Sequence, residues 1–157
     1  MKTQNRILAT AILFAFCLTP YFAAFAQDSE KKVKMKDLPP SVQATVREQS
    51  QGAMLRGLAK EVEKGKTFYE AELKVNGHNK DVLMDVDGKI VTVEEEIALT
   101  AVPSAVKAEI EKQAGKGKIQ LVESITKDGA IAYYEAHIKT GIKSKEIKVG
   151  TDGKLIK

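Results

Sequence analysis

The chain states one pattern twice, and this restricts its fold more than any other feature. Leu38 to Gln49 (LPPSVQATVREQ) returns as Val102 to Gln113 (VPSAVKAEIEKQ), 64 positions later. Phe68 to Lys74 (FYEAELK) returns as Tyr133 to Lys139 (YYEAHIK), 65 positions later. Asp87-Gly88-Lys89-Ile90 returns as Asp152-Gly153-Lys154-Leu155, again 65 later. Three blocks in one order, with one residue of slippage, mark a duplicated unit. Two copies of a small unit that cannot cover its own apolar surface can share one sheet.

Each copy opens with proline at a helix start, where a missing amide costs nothing. Val42 and Val46 then lie four apart, as do Val106 and Ile110, so each pair shares one helix face. That stripe is narrow and each helix is short, so neither is stable without a sheet beneath it. After the helices the period becomes two. Tyr69, Ala71, Leu73 and Val75 alternate with Phe68, Glu70, Glu72 and Lys74; Tyr134, Ala136 and Ile138 alternate with Tyr133, Glu135, His137 and Lys139. This is the pattern of half-buried antiparallel strands, with the polar set facing away from the helices. Asn76-Gly77 and Asp87-Gly88 supply hairpin turns, and Lys64-Gly65 and Asp128-Gly129 turn an earlier strand into the next. The expected fold class is α+β: a tandem duplicated helix-plus-antiparallel-strands unit, with two helices packed on one face of a continuous antiparallel sheet. Repeat 1 spans 37–97 and repeat 2 spans 98–157, together one compact domain.

Residues 1–26 read as a signal peptide. Lys2 and Arg6 precede an apolar run from Ile7 to Leu18, and Ala24-Phe25-Ala26 is a small-x-small cleavage site before Gln27. Cys17 falls in the discarded run, since Phe14-Ala15-Phe16 places a bulky ring where lipid attachment wants a small residue. Cleavage leaves 131 residues and no cysteine, which excludes disulfides and thiolate metal sites. It removes two of the 25 basic residues and none of the 21 acidic ones, for a net charge of +2. That balance, with no aromatics interleaved in the small Lys112, Lys116, Lys118 group, argues against nucleic acid. Residues 27–36 are polar and lysine-rich and read as a flexible lead-in, in which Val33-Lys34-Met35 could add a short strand. The expected location is periplasmic or secreted, with no stable membrane insertion after signal removal.

The proline helix start, the Tyr-Glu-Ala strand and the Asp-Gly-Lys turn occur in both copies. In these features residues 33–157 resemble the PepSY-like family, in particular its secreted bacterial subgroup with a fold like β-lactamase inhibitor protein. The resemblance implies a paired helix-and-sheet repeat with a concave sheet. It also implies a non-catalytic binding or inhibitory module of the cell envelope.

The chemistry-bearing residues are few. His78 sits in the Asn76-Gly77-His78-Asn79 turn and His137 on the outer side of a strand, and no nucleophile motif accompanies either. No enzyme activity, catalytic residue or cofactor is expected. Asp85, Asp87, Gly88 and Glu94 fall at positions 3, 5, 6 and 12 of a calcium-loop pattern, but Leu83 at position 1 cannot ligate and a hairpin explains the turn. Calcium at Asp85, Asp87 and Glu94 is therefore the alternative reading. Glu94-Glu95-Glu96 reads as a solvated acidic edge. The main expectation is a partner surface made by Phe68, Glu70, Glu72, Tyr133, Glu135, His137 and Lys139, where aromatics within a polar rim could anchor an envelope protein or peptide.

Overall fold

The computed structural model describes residues 29–156; the expected signal peptide, with Cys17 and the cleavage site, lies outside them. The elements run β1 (Ser29–Lys32), α1 (Pro40–Gln49), β2 (Met54–Glu63), β3 (Lys66–Val75), β4 (His78–Asp85), β5 (Ile90–Glu96), α2 (Ser104–Ala114), β6 (Lys118–Lys127), β7 (Ala130–Thr140), β8 (Lys143–Gly150) and β9 (Leu155–Ile156). Among the described residues, nine strands form one antiparallel sheet in sequence order, so every connection joins neighbours. Both helices lie on one face.

The duplication extends to register. Ser29 pairs with Val62 as Val93 pairs with Thr126, and Lys32 pairs with Ala59 as Glu96 pairs with Glu123. The Val33 amide donates to the Leu58 carbonyl as Ile97 does to Val122, both at 2.9 Å. Strand β5 thus closes repeat 1 and opens repeat 2, and this is how two units become one sheet. The one-residue slip between copies is a β-bulge. Thr126 pairs with Ile131 but Ile125 with Tyr133, leaving Ala132 as the extra residue. In repeat 1 the same stretch runs without interruption, Val62 with Thr67 and Glu61 with Phe68.

Two equivalent cores result. Val42 and Val46 of α1 pack with Leu58, Tyr69, Ala71 and Met84; Val106 and Ile110 of α2 pack with Val122, Tyr134, Ala136 and Val149. The four helix residues are fully buried. The turn motif serves the same packing. Gly88 has φ 77° and Gly153 φ 80°, and a β-carbon on either would stand 2.8 Å from Ser41 or Ala105 at the start of the helix of its own repeat. Ser41 Oγ donates to the Val86 carbonyl and Thr45 Oγ1 to the Gly88 carbonyl, fixing helix α1 to this turn.

Two expectations for residues 27–36 differ from the structure. Ser29–Lys32, read as part of a flexible lead-in, is an edge strand, while Val33 only extends its ladder by one bond. Its polar composition suits a strand exposed along its whole length, because charge on an edge costs nothing and blocks further pairing. Met35–Asp37, at the end of the short segment considered for a strand, is a 3-10 turn instead.

Candidate functional site

The side of the sheet away from the helices is lined by the alternate set from each strand. On β3 these are Phe68, Glu70 and Glu72, and on β7 Tyr133, Glu135 and His137, with Lys139 exposed at the strand end. Cross-strand partners add Glu61 from β2, Asp81 and Leu83 from β4, Glu94 from β5, Glu123 and Ile125 from β6, and Glu146 and Lys148 from β8. The expected residues do share this face, and Phe68 and Tyr133 are both half-buried.

The face is less wet than alternation alone implies. Glu135 is 6% exposed, Glu123 9%, and Ile125 fully buried. Central strands carry neighbours on both sides at close spacing, so long side chains roof one another. Glu94-Glu95-Glu96 is likewise no solvated edge, since β5 lies between β4 and β6. His137 is no simple surface histidine. Its Nε2 stands 3.5 Å from Glu123 Oε2 and 3.8 Å from Glu146 Oε2. The hydrogen bond to Glu123 raises its pKa although burial opposes this. His78 is exposed at the start of β4.

In repeat 2 a lysine on this face is set directly against its carboxyls. Lys148 Nζ lies 2.8 Å from Glu135 Oε1, 3.7 Å from Glu146 Oε1, and 5.5 Å from the centre of the Tyr133 ring. Burial works against that ammonium, but the hydrogen bond and charge of Glu135 hold its pKa above the usual lysine value. At other carboxyls burial and neighbouring acids prevail, although Lys148 also pulls Glu94 down. Burial first, then Glu61 and Asp81, pushes Glu70 up to about 9. Burial and Glu72 raise Asp81 to about 6; burial and Glu135 raise Glu94 to about 7. Glu70 therefore keeps its proton at neutral pH and shares a hydrogen bond with the Glu61 carboxyl.

This arrangement fixes the sign of the pH dependence. Glu70, Asp81 and Glu94 hold protons in the folded chain at pH values where the unfolded chain has released them. The folded state therefore binds more protons from near the ordinary carboxyl values up to about 9, and stability falls as pH rises through that window. His137, raised above 6.5, adds to the same trend. The melting temperature is expected to drop from pH 5 to pH 9, and Glu70→Gln to flatten the upper part of the curve. A wild-type melting temperature that climbs over this range would contradict the electrostatic account.

The calcium-loop residues are not brought together. Asp85 Oδ1 accepts the amides of Asp87 and Lys89, at 3.0 and 2.9 Å, as a turn-closing group. Glu94 opposes Asp81, four residues along β4 from Asp85. The set whose ligand atoms do converge, within 4.8 Å of one another, is Glu123, Glu135 and His137. The sequence reading left out Glu61, Asp81, Glu123, Glu146 and Lys148. Extending the 65-residue shift to β4 and β8, which aligns Asp81 with Glu146 and Leu83 with Lys148, would have found three of them.

The PepSY-like family, described as "Putative beta-lactamase-inhibitor-like, PepSY-like", matches this chain twice, over residues 26–92 and 81–157. A comparison with curated proteins gives no match. Among solved structures, a DUF2874 family protein from Bacteroides uniformis is 20% identical with a TM-score of 0.61, over 76% of this chain and 86% of that one. A BLIP-like protein from Bacteroides fragilis is 16% identical with a TM-score of 0.56, over 76% and 84%. A protein from Bacteroides eggerthii named among "putative periplasmic proteins" is 20% identical with a TM-score of 0.63, over 76% and 86%. At these identities the likeness is one of fold. Among the described residues no helix is long and apolar enough to cross a membrane. With two matches that together span both repeats, the chain belongs to the PepSY-like family.

Proposed function

We propose that this protein is an exported, non-enzymatic binding or inhibitor-like module that contacts an envelope protein or peptide through the open face of its sheet. One observation carries the reading: the helices cover a single face, and the other holds two equivalent half-buried aromatics among incompletely neutralised carboxyls. Aromatic anchors in a polar surround are the usual energetic centre of a protein interface. The leader-like first 26 residues and the periplasmic naming of a fold relative support a place outside the cytoplasm. Against catalysis, His78 is solvent-facing and His137 is engaged by two carboxylates.

The test is capture of partner from native envelope extract. The bait is protein recovered from that envelope, whose intact mass should correspond to a start near Gln27 with no thiol. Phe68→Ala with Tyr133→Ala should weaken capture by about 2 kcal/mol or more, close to thirtyfold, while far-ultraviolet circular dichroism stays unchanged. Undiminished capture of a specific partner by the folded double variant would reject the sheet-face reading. A bait that keeps Cys17, above all with attached lipid, would reject cleavage near Gln27.

A further inference from the structure

The two repeats treat one position of the open face differently, and the difference names the chemistry of an occupant. In repeat 2, Glu135 on β7 faces Lys148 on β8, and the ammonium of Lys148 also lies over the Tyr133 ring. Carboxylate and aromatic ring together make a cation seat, filled from within. In repeat 1 the register is the same. Glu70 stands for Glu135 and Phe68 for Tyr133, but the residue opposite Glu70 is Leu83. Carboxyl and ring recur at the same register, with leucine where repeat 2 has lysine.

The surroundings of Glu70 supply no substitute. Glu61 on β2, Glu72 on β3 and Asp81 on β4 are the charged groups that act on it, and all are acidic. Lys32 on β1 shares its cross-strand row but lies beyond Ala59. Lys74 at the far end of β3 donates to Asn79.

Building on the sheet-face reading above, we propose that the repeat 1 half of the open face receives a lysine or arginine side chain of a partner polypeptide, seated on Glu70 beside the Phe68 ring as Lys148 is seated on Glu135 beside Tyr133. Lys148 is the internal template, so lysine is the better fit. A cation arriving there replaces the proton that Glu70 holds, so binding releases that proton to solvent. Leu83 is half-buried beside the seat and packs against the aliphatic stem of the incoming side chain.

Calorimetric titration of the mature protein with hexalysine at low ionic strength tests this. Binding is expected, with proton release seen as a dependence of the heat on buffer ionisation. Glu70→Gln should weaken binding about tenfold, as expected for loss of a charge-assisted hydrogen bond, and abolish the proton release. Leu83→Lys, which installs the repeat 2 lysine, should fill the seat from within and abolish hexalysine binding. It should also raise the melting temperature above pH 7, because Glu70 then ionises beside a cation. Glu111→Gln, on the exposed side of α2, should bind as wild type. If Leu83→Lys fails to fold, Glu70→Gln and the buffer series decide alone. Equal binding by wild type, Glu70→Gln and folded Leu83→Lys overturns the proposal, as does the absence of hexalysine binding. Glu70-dependent binding of spermine or calcium in place of hexalysine overturns it too. If the proposal falls while the Phe68→Ala, Tyr133→Ala protein still loses its captured partner, the sheet face stands as the binding surface and only the cationic occupant is wrong.

Discussion

Ile110→Ala is expected to destabilise the fold by about 2–5 kcal/mol, the range for truncating a fully buried isoleucine where the surroundings cannot close over the cavity. Ile110 is 0% exposed and packs in the core that α2 forms with Val122, Tyr134, Ala136 and Val149. Its counterpart Val46 is equally buried in the α1 core, so Val46→Ala should cost about 2 kcal/mol, less because fewer methyl groups are lost. Both helices are only ten or eleven residues long and depend on this packing for their existence. Urea denaturation of each variant measures the effect. A loss below about 0.5 kcal/mol, typical of surface sites, would mean that the helix face is misplaced.

Gly88→Ala and Gly153→Ala should each be nearly as damaging, at roughly 2–4 kcal/mol, by a different route. Both glycines sit at positive φ, which strains any residue with a β-carbon by about 1–2 kcal/mol. The added carbon would also meet the helix start: Ser41 backbone at 2.8 Å for Gly88, and Ala105 Cβ at 2.8 Å with Ala105 backbone at 3.0 Å for Gly153. Backbone cannot swing aside as a side-chain tip can, so the turn or the helix start must shift, at a cost of about 1–3 kcal/mol. Gly65→Ala is the control. It shares the positive φ but its β-carbon would meet nothing within 4 Å, so it should show the strain alone. Equal losses at all three positions would remove the turn-to-helix contact from the account.

These two results concern the parts of the molecule that its sequence displays openly. Periodicity places Val42, Val46, Val106 and Ile110 on buried faces because burial acts on every side chain of an element in turn. The glycine of Asp-Gly-Lys reads as a turn residue from local chemistry, yet its near contact with the helix start depends on tertiary packing that no local pattern contains. The bulge at Ala132 shows in the sequence only as a change of shift from 64 to 65. Its place emerges from which residues pair across β6 and β7.

The open face was legible in part for the same reason. Alternation puts Phe68, Glu70, Glu72, Tyr133, Glu135 and His137 on one side. It does not say that Glu135 and Glu123 lie opposite one another, or that Lys148 neutralises one of them, because those facts belong to register across strands. Nor does alternation reveal how deeply a polar side chain sinks in a nine-stranded sheet, and burial is the largest cause of the raised pKa of Glu70. Asp85 and Asp87 are close in sequence to Glu94, but the hairpin sends Glu94 back along β4 to oppose Asp81.

The central claim is that the open sheet face, and not the helical face, meets the partner. Site-specific photocrosslinking in the native envelope tests it most directly. A benzophenone amino acid is placed at Phe68 in one protein and at the exposed Glu48 of α1 in another. The account predicts a discrete adduct with a single envelope polypeptide from position 68 and none from position 48. An adduct from position 48, with position 68 silent in a folded protein, would contradict it.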